Sequence, residues 1–295
     1  MQLKRLVVIL AIVPGALLAQ DTADVKLAGD HPPDAVLPVT AGVTTGSMTF
    51  GDHRVQQGVT GVVRWHMAKW ASVAASPTYA RMTYPASLGG GAAGGLTDLP
   101  IEMGLDHSFN GEWSPAVGLS LGATIPVGDK QIGLGSGSMG ASVGAGVGLS
   151  PLDELSLHLG AGKSLTDYSM FGALGASDAV WGEAEASYHL LEHLDATIGF
   201  DGDFAASDTV GAARAIALSF AAGLGGPYTL TVSGGHGVSG PAARWTFALG
   251  FGTDFAGFQA IGSSSPIQRL MRSMGGSSHR GSGSGSSGSG HGRAP

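Results

Sequence analysis

The sequence predicts an all-β protein, an antiparallel up-and-down transmembrane β-barrel of about twelve strands. Three observations carry that reading. Charge is scarce and glycine abundant; apolar residues recur at every second position in segment after segment; and the connections alternate between short and long. Only helices and closed barrels satisfy every backbone hydrogen bond in lipid. No stretch after the first twenty residues approaches the 18 or so uninterrupted apolar residues of a spanning helix.

Only 13% of the 295 residues are charged, whereas a water-soluble domain carries about 25%. So low a share implies that much of the surface does not face water. The 51 glycines follow no G-X-Y period, which excludes collagen. Cysteine is absent, so neither a disulfide framework nor a lipid-anchored cysteine is available.

The chain opens as a secretory signal, residues 1–20. Lys4 and Arg5 form the basic region and Leu6 to Leu18 the apolar core, which is short and interrupted by Pro14. Residues 21–38 read as an extended segment and 39–258 as the barrel. The last part, 259–295, reads as a basic, Gly/Ser-rich disordered tail.

Within the barrel region the segments are taken in order. The cores 39–50, 55–67 and 70–83 alternate weakly, with the clearest pattern from Val59 to Met67. In 96–108 the alternation runs from Ile101 to Leu105. The segment 112–127 is the strongest: Val117, Leu119, Leu121, Ala123 and Ile125 alternate with Gly118, Ser120, Gly122 and Thr124. Successive strand side chains point to opposite faces, so one face is aliphatic and the other small or polar. At helical spacing the same residues would scatter around the axis. After 138–150, the segment 153–165 carries Leu155, Leu157 and Leu159 against Ser156, His158 and Gly160. In 178–190, Ala184, Ala186, Tyr188 and Leu190 alternate with Glu183, Glu185, Ser187 and His189. In 193–204, Leu194, Ala196, Ile198 and Phe200 alternate with Asp195, Thr197, Gly199 and Asp201. The segments 211–223, 227–236 and 242–253 complete the set, the last with Trp245, Phe247, Leu249 and Phe251 on one face. Each core is near the 9–11 residues that a tilted strand needs to cross a bilayer.

Short links are read at Phe109-Asn110-Gly111, a tight-hairpin pattern, and at Pro151-Leu152, Leu191-Glu192 and Gly225-Gly226. Longer ones fall at 85–96, 128–137, 165–177, 203–210 and 237–242. Outer-membrane barrels have short periplasmic turns and longer external connections. A soluble sandwich has no reason to sort its loops in this way, and it would need charged outer faces where this chain has Gly, Ser, Thr and Ala.

The run from Pro115 to Leu165 resembles the outer-membrane barrel family described as transporters of the meta-pathway of phenol degradation. The residues that carry the resemblance are Ile125-Pro126-Val127-Gly128, then Gly133-Leu134-Gly135-Ser136-Gly137, an amphipathic strand to Leu149-Ser150, and a second strand from Leu155 to Gly160. The resemblance covers about fifty residues by these glycine-rich motifs and the rest by strand rhythm. It implies a barrel of this size that moves small, often apolar molecules. The chain departs from barrels that end on an aromatic residue, because the basic tail follows Phe255 and Phe258.

Few motifs point to chemistry. His189-Leu190-Leu191-Glu192-His193 matches the H-x-x-E-H zinc pattern, but that pattern needs a helix, where residues four apart share a face. Here it spans a strand end and a turn. Gly135 to Gly140 matches G-x-G-x-x-G without the preceding strand and following helix of a dinucleotide site. No G-x-S-x-G elbow occurs. The expectation is a non-enzyme with no cofactor and no metal.

Polar residues on the non-aliphatic faces are the candidate lumen lining: Arg64, His66, Glu102, Asp106, His158, Glu183, Glu185, Asp201 and Arg244. Lumen charges tune permeation. The competing structural role is that Arg–carboxylate pairs plug a narrow interior. Losing Lys4 and Arg5 takes the net charge from −7 to −9, and the four arginines of the tail leave the body near −13. An acidic body argues against nucleic acid as a partner. The expected partners are outer-membrane lipid and a small-molecule permeant; monomer and trimer fit equally. The sequence thus points to the cell outer membrane and a channel or transporter. A structural or adhesive barrel with a closed lumen, and a barrel-embedded hydrolase, are the alternatives.

Overall fold

A computed structural model describes residues 39–68, 70–111, 113–132, 134–135, 137–166, 177–203, 214–239 and 243–253. The signal segment, residues 21–38 and the tail lie outside the described residues. Strands β1 (Val39–Thr49), β2 (Val55–Ala68), β3 (Ala71–Ala75), β4 (Thr78–Thr83), β5 (Ala92–Leu96), β6 (Leu99–Ser108) and β7 (Ala116–Ile125) form the first half. The second half is β8 (Gly140–Leu152), β9 (Leu155–Thr166), β10 (Ser177–Leu191), β11 (Leu194–Asp203), β12 (Arg214–Gly223), β13 (Thr229–Ser239) and β14 (Trp245–Gly252).

Every pairing is antiparallel, and β1 pairs with both β14 and β2, so the sheet closes on itself. The fourteen strands make twelve spans. β2 pairs with β3 through residues 63–68 and with β4 through residues 55–60, so β3 and β4 are one wall segment interrupted at Ser76-Pro77. Pro77 has no N–H to give a ladder; its carbonyl instead accepts from the Gly61 N–H at 2.9 Å. β5 and β6 are likewise one span broken at Thr97-Asp98. The third and fourth cores read from the sequence, 70–83 and 96–108, therefore each correspond to a broken pair. The fourth also begins earlier, at Ala92.

The described connections sort by rim. At one end lie 50–54, 84–91, the described part of 126–139, and residues 243–244; at the other lie 70, the described part of 109–115, 153–154, 192–193 and 224–228. The described chain also begins and ends at this second rim. One sequence expectation fails here. Phe109-Asn110-Gly111 is not a two-residue hairpin but part of a seven-residue connection. It is closed by Phe109 N–H to the Pro115 carbonyl at 2.8 Å, with Ser114 in the left-handed region at φ 40°. The other short links shift by a residue or two, to 153–154 and 192–193, while 224–228 holds Gly225 and Gly226 at φ 92° and 59°. Only glycine takes those angles at no steric cost.

The faces are assigned by alternating exposure. On β7, Val117, Leu119 and Leu121 are exposed; on β9, Leu157 and Leu159; on β12, Ile216, Leu218 and Phe220; on β14, Phe247, Leu249 and Phe251. The alternate positions Thr40, Thr44 and Met48 on β1, Gln56, Thr60 and Arg64 on β2, and Thr229, Thr231 and Ser233 on β13 are buried. A water-soluble barrel or sandwich would bury the first set. Here the aliphatic side is the outside of the ring, as lipid requires. Large aromatics lie exposed near the short-connection rim, at Trp65, Trp70, Trp113, Tyr188 and Tyr228. Trp and Tyr favour the headgroup level of a bilayer. The outward-facing bases Arg81 and Arg214 instead lie at the ends of β4 and β12 nearest the long connections. From there a basic side chain can reach the polar interface.

Candidate functional site

Inner-face residues define the candidate site, and strand register places them in rows. Arg64 pairs with Ala74, and Ala74 with Glu102. The small Ala74 side chain leaves room between the guanidinium and the carboxylate on either side of it. His66 pairs with Ser72, and Ser72 with Gly104. A third row runs Glu183, Gly160, Gly146, Gly118 and Asp106 across five strands. Three consecutive glycines thus separate two carboxylates on the inner wall. The Glu183 side chain leans over the first: a Cβ at Gly160 would lie 2.6 Å from its Oε1.

The neighbouring row holds Trp181. Its partners are Gly162, then Gly144, then Ser120. The indole covers both glycines; a Cβ at Gly144 would sit 2.8 Å from Cζ2, and one at Gly162 would sit 2.5 Å from Cε2. The glycines of β8 and β9 therefore form a floor for Trp181 and Glu183. This is a packing reason for glycine that the sequence pattern does not reveal.

Sequence-predicted candidates distribute as follows. Arg64, His66, Glu102, Asp106, His158, Glu183, Glu185 and Asp201 all sit on inward-facing positions of β2, β6, β9, β10 and β11. Glu183 pairs directly with Asp201 on one side, and its Oε1 lies 4.0 Å from His158 Nδ1. Arg64 is 2% exposed and Glu183 5%, while His66, Glu102, Asp106, His158, Glu185 and Asp201 are half-buried. Arg244 departs from this set. It shares the inward parity but lies one residue before β14, exposed at the long-connection rim, with its N–H donating to the Thr49 carbonyl at 2.7 Å. The register argument does not apply to it because the strand has not begun.

Two polar residues were left out of the candidate set. Asp195 is inward and hydrogen-bonded to His189, near the short-connection rim. The H-x-x-E-H run is thereby explained: His189 faces Asp195 in the lumen, and Glu192 and His193 form the turn. No group of side chains arranged to hold a metal occurs among the described residues. The second is Asp98, at the break between β5 and β6, whose Oδ1 accepts from the Gly128 N–H at 3.0 Å.

The inner wall is uneven. Along β1 to β4 it is packed: Met48, Phe50 and Met82 cluster with Ala248, and Gln56, Thr60 and Thr78 are fully buried. Along β10 to β12, beyond the buried Trp181 and Glu183, the inward Ser187, Thr197, Asp201, Ala217 and Ser219 stay half-buried. Among the described side chains on inner faces, six carboxylates (Glu102, Asp106, Glu183, Glu185, Asp195 and Asp201) stand against one guanidinium, Arg64.

No protein-family model and no curated protein matches this chain. Solved structures do. An outer membrane channel from Pseudomonas putida F1 superposes with a TM-score of 0.59 at 15% identity, covering 76% of this chain and 98% of that one. The KdgM porin gives 0.47 at 10% identity over 74% and 99%, and the CymD monoaromatic hydrocarbon channel gives 0.45 at 9% over 75% and 89%. The first likeness shows the fold, a closed antiparallel β-barrel.

Proposed function

We propose that the protein is an outer-membrane channel for small molecules, with the permeation path along the inner faces of β10 to β12. The observation that carries this is the uneven inner wall: packed on one side, lined on the other by small, hydroxyl and carboxylate side chains that remain accessible. A barrel filled only for stability would be covered all round. The excess of carboxylates deepens the reading. A low-dielectric wall bearing one sign of charge concentrates the opposite sign in the lumen. The permeants are then cationic or neutral small molecules, and anions are disfavoured. The eight inward candidates serve as lining, with Arg64 a brace among the carboxylates. The reading is of a non-enzyme.

Planar-bilayer recording tests it. Under a KCl gradient the reversal potential should have the sign of a cation-preferring pore. Glu185→Gln with Asp201→Asn should move it towards the unselective value without abolishing insertion. Absence of any conductance from correctly folded protein would instead support the second reading, a closed structural barrel. The burial of Arg64 and Glu183 is the observation in that reading's favour.

A further inference from the structure

β7 ends at Ile125 and β8 begins at Gly140, leaving β5 with β4 as its strand neighbour and β6 continuing the span. The connection between β7 and β8 does not stand away from the barrel. Gly95 is an inward position, paired with the fully buried Ala80, and a Cβ there would lie 3.5 Å from Leu134 Cδ1 and 3.8 Å from Ile132 Cδ1. Both side chains are therefore inside the ring, against β5. Leu134 is 1% exposed although it belongs to a connection at the barrel's rim.

A compact node fastens the segment. The interruption between β5 and β6 aims the Asp98 carboxylate at the Gly128 N–H, 3.0 Å away; irregularities in a strand commonly re-aim a side chain in this way. Gly128 and Gly135 close on each other so tightly that a Cβ at Gly128 would sit 2.8 Å from Gly135 Cα and 2.9 Å from the Asp98 nitrogen. A Cβ at Gly135 would sit 2.8 Å from Asp98 Oδ1. Within the segment, Leu134 N–H donates to the Asp129 carbonyl at 2.9 Å and Gln131 N–H to Asp129 Oδ1 at 2.8 Å. The Tyr84 hydroxyl, from the neighbouring connection, donates to the Ile132 carbonyl at 3.4 Å.

We infer that residues 126–132 with Leu134 and Gly135 form an inward-held constriction that sets the size limit of the lumen. Asp98, Gly128 and Gly135 are its positioning residues, and Ile132 and Leu134 are the apolar groups that narrow the path. This rests on the channel reading above. An apolar constriction beside a carboxylate-lined wall limits by width and wetting, whereas the carboxylates select by charge. The two properties should separate by mutation.

The test uses the whole protein in bilayers and liposomes, with heat-modifiable migration confirming that each variant folds. Asp98→Ala removes the acceptor; Gly135→Val wedges the node apart; the pair Ile132→Ala and Leu134→Ala trims the constriction without touching the node. Each should raise single-channel conductance roughly two-fold or more and admit larger sugars in liposome swelling, with little change in reversal potential. Because the chain has no cysteine, Leu134→Cys gives a readout independent of conduction. A bulky maleimide should label it slowly alone and fast when combined with Asp98→Ala. Wild-type conductance in all folded variants, or fast labelling of Leu134→Cys alone, would overturn the constriction. Slow labelling that becomes fast with Asp98→Ala, but no conductance from any form, would mean that the segment is fastened inward and the channel reading itself has failed.

Discussion

Leu218→Arg should strongly destabilise the folded barrel, while Ser219→Arg, one residue on, should be far better tolerated. Leu218 is exposed at the middle of β12, flanked by Ile198 on β11 and Gly234 on β13. In the described geometry it meets hydrocarbon. A guanidinium at the midplane of a barrel's lipid face costs roughly 2–4 kcal/mol. Ser219 points the other way, half-buried between Thr197 and the buried Ser233 on the inner wall, where an added cation does not face hydrocarbon. The measurement is the urea midpoint of folding into lipid vesicles, together with the gel shift between heated and unheated protein. Equal tolerance of both substitutions, or the reverse order, would mean that the faces are exchanged. The account of the fold and of the channel would go with them.

Gly162→Val should destabilise the barrel about as severely, by a wholly different route. The added side chain would occupy space that the Trp181 indole now fills, and a Cβ there would also lie 2.5 Å from the Val143 carbonyl oxygen. Overpacking of a well-filled interior typically costs about 1–3 kcal/mol and sometimes more. Trp181→Ala alone should also destabilise, because it empties a buried site. Combined, the two changes should cost less than their sum, since the indole is one of the two obstructions. Rescue should be incomplete, since the backbone contact persists. A double-mutant cycle on the same folding midpoints reads this coupling. Strict additivity would show that the indole does not lie on the β8–β9 floor.

Much of this architecture is legible in the chain. The Val117 to Ile125 alternation, or that of Leu194 to Phe200, states both the strand and its two faces, because side-chain direction has a period of two whatever the strand packs against. The inward positions of eight of the nine candidates follow from that parity. Arg244 does not, because parity has meaning only inside a strand and β14 starts at Trp245. Two irregularities left weaker marks. The interruption at Ser76-Pro77 was signposted by a proline in a strand pattern. The widening of 109–115 was hidden by Asn110-Gly111, whose preference for a tight turn gave way to a connection closed at Pro115. The Gly128 to Gly137 glycines were readable as a long connection. Nothing in their composition says that the connection turns inward, since that depends on Asp98, thirty residues earlier.

The sequence by itself determined the strands and their lipid-facing sides, properties that neighbouring residues decide among themselves; it marked 84–91 and 126–139 as long connections, but not the widening of 109–115. Tertiary structure alone decided which inward side chains meet: Trp181 on Gly162 and Gly144, Glu183 in line with Asp106 across three glycines, and Leu134 against Gly95. The physical reason is that lateral neighbours in a barrel are set by the hydrogen-bond register between strands. Each pairing adds its own offset, so a row across five strands is the cumulative result of four registers that no local pattern encodes.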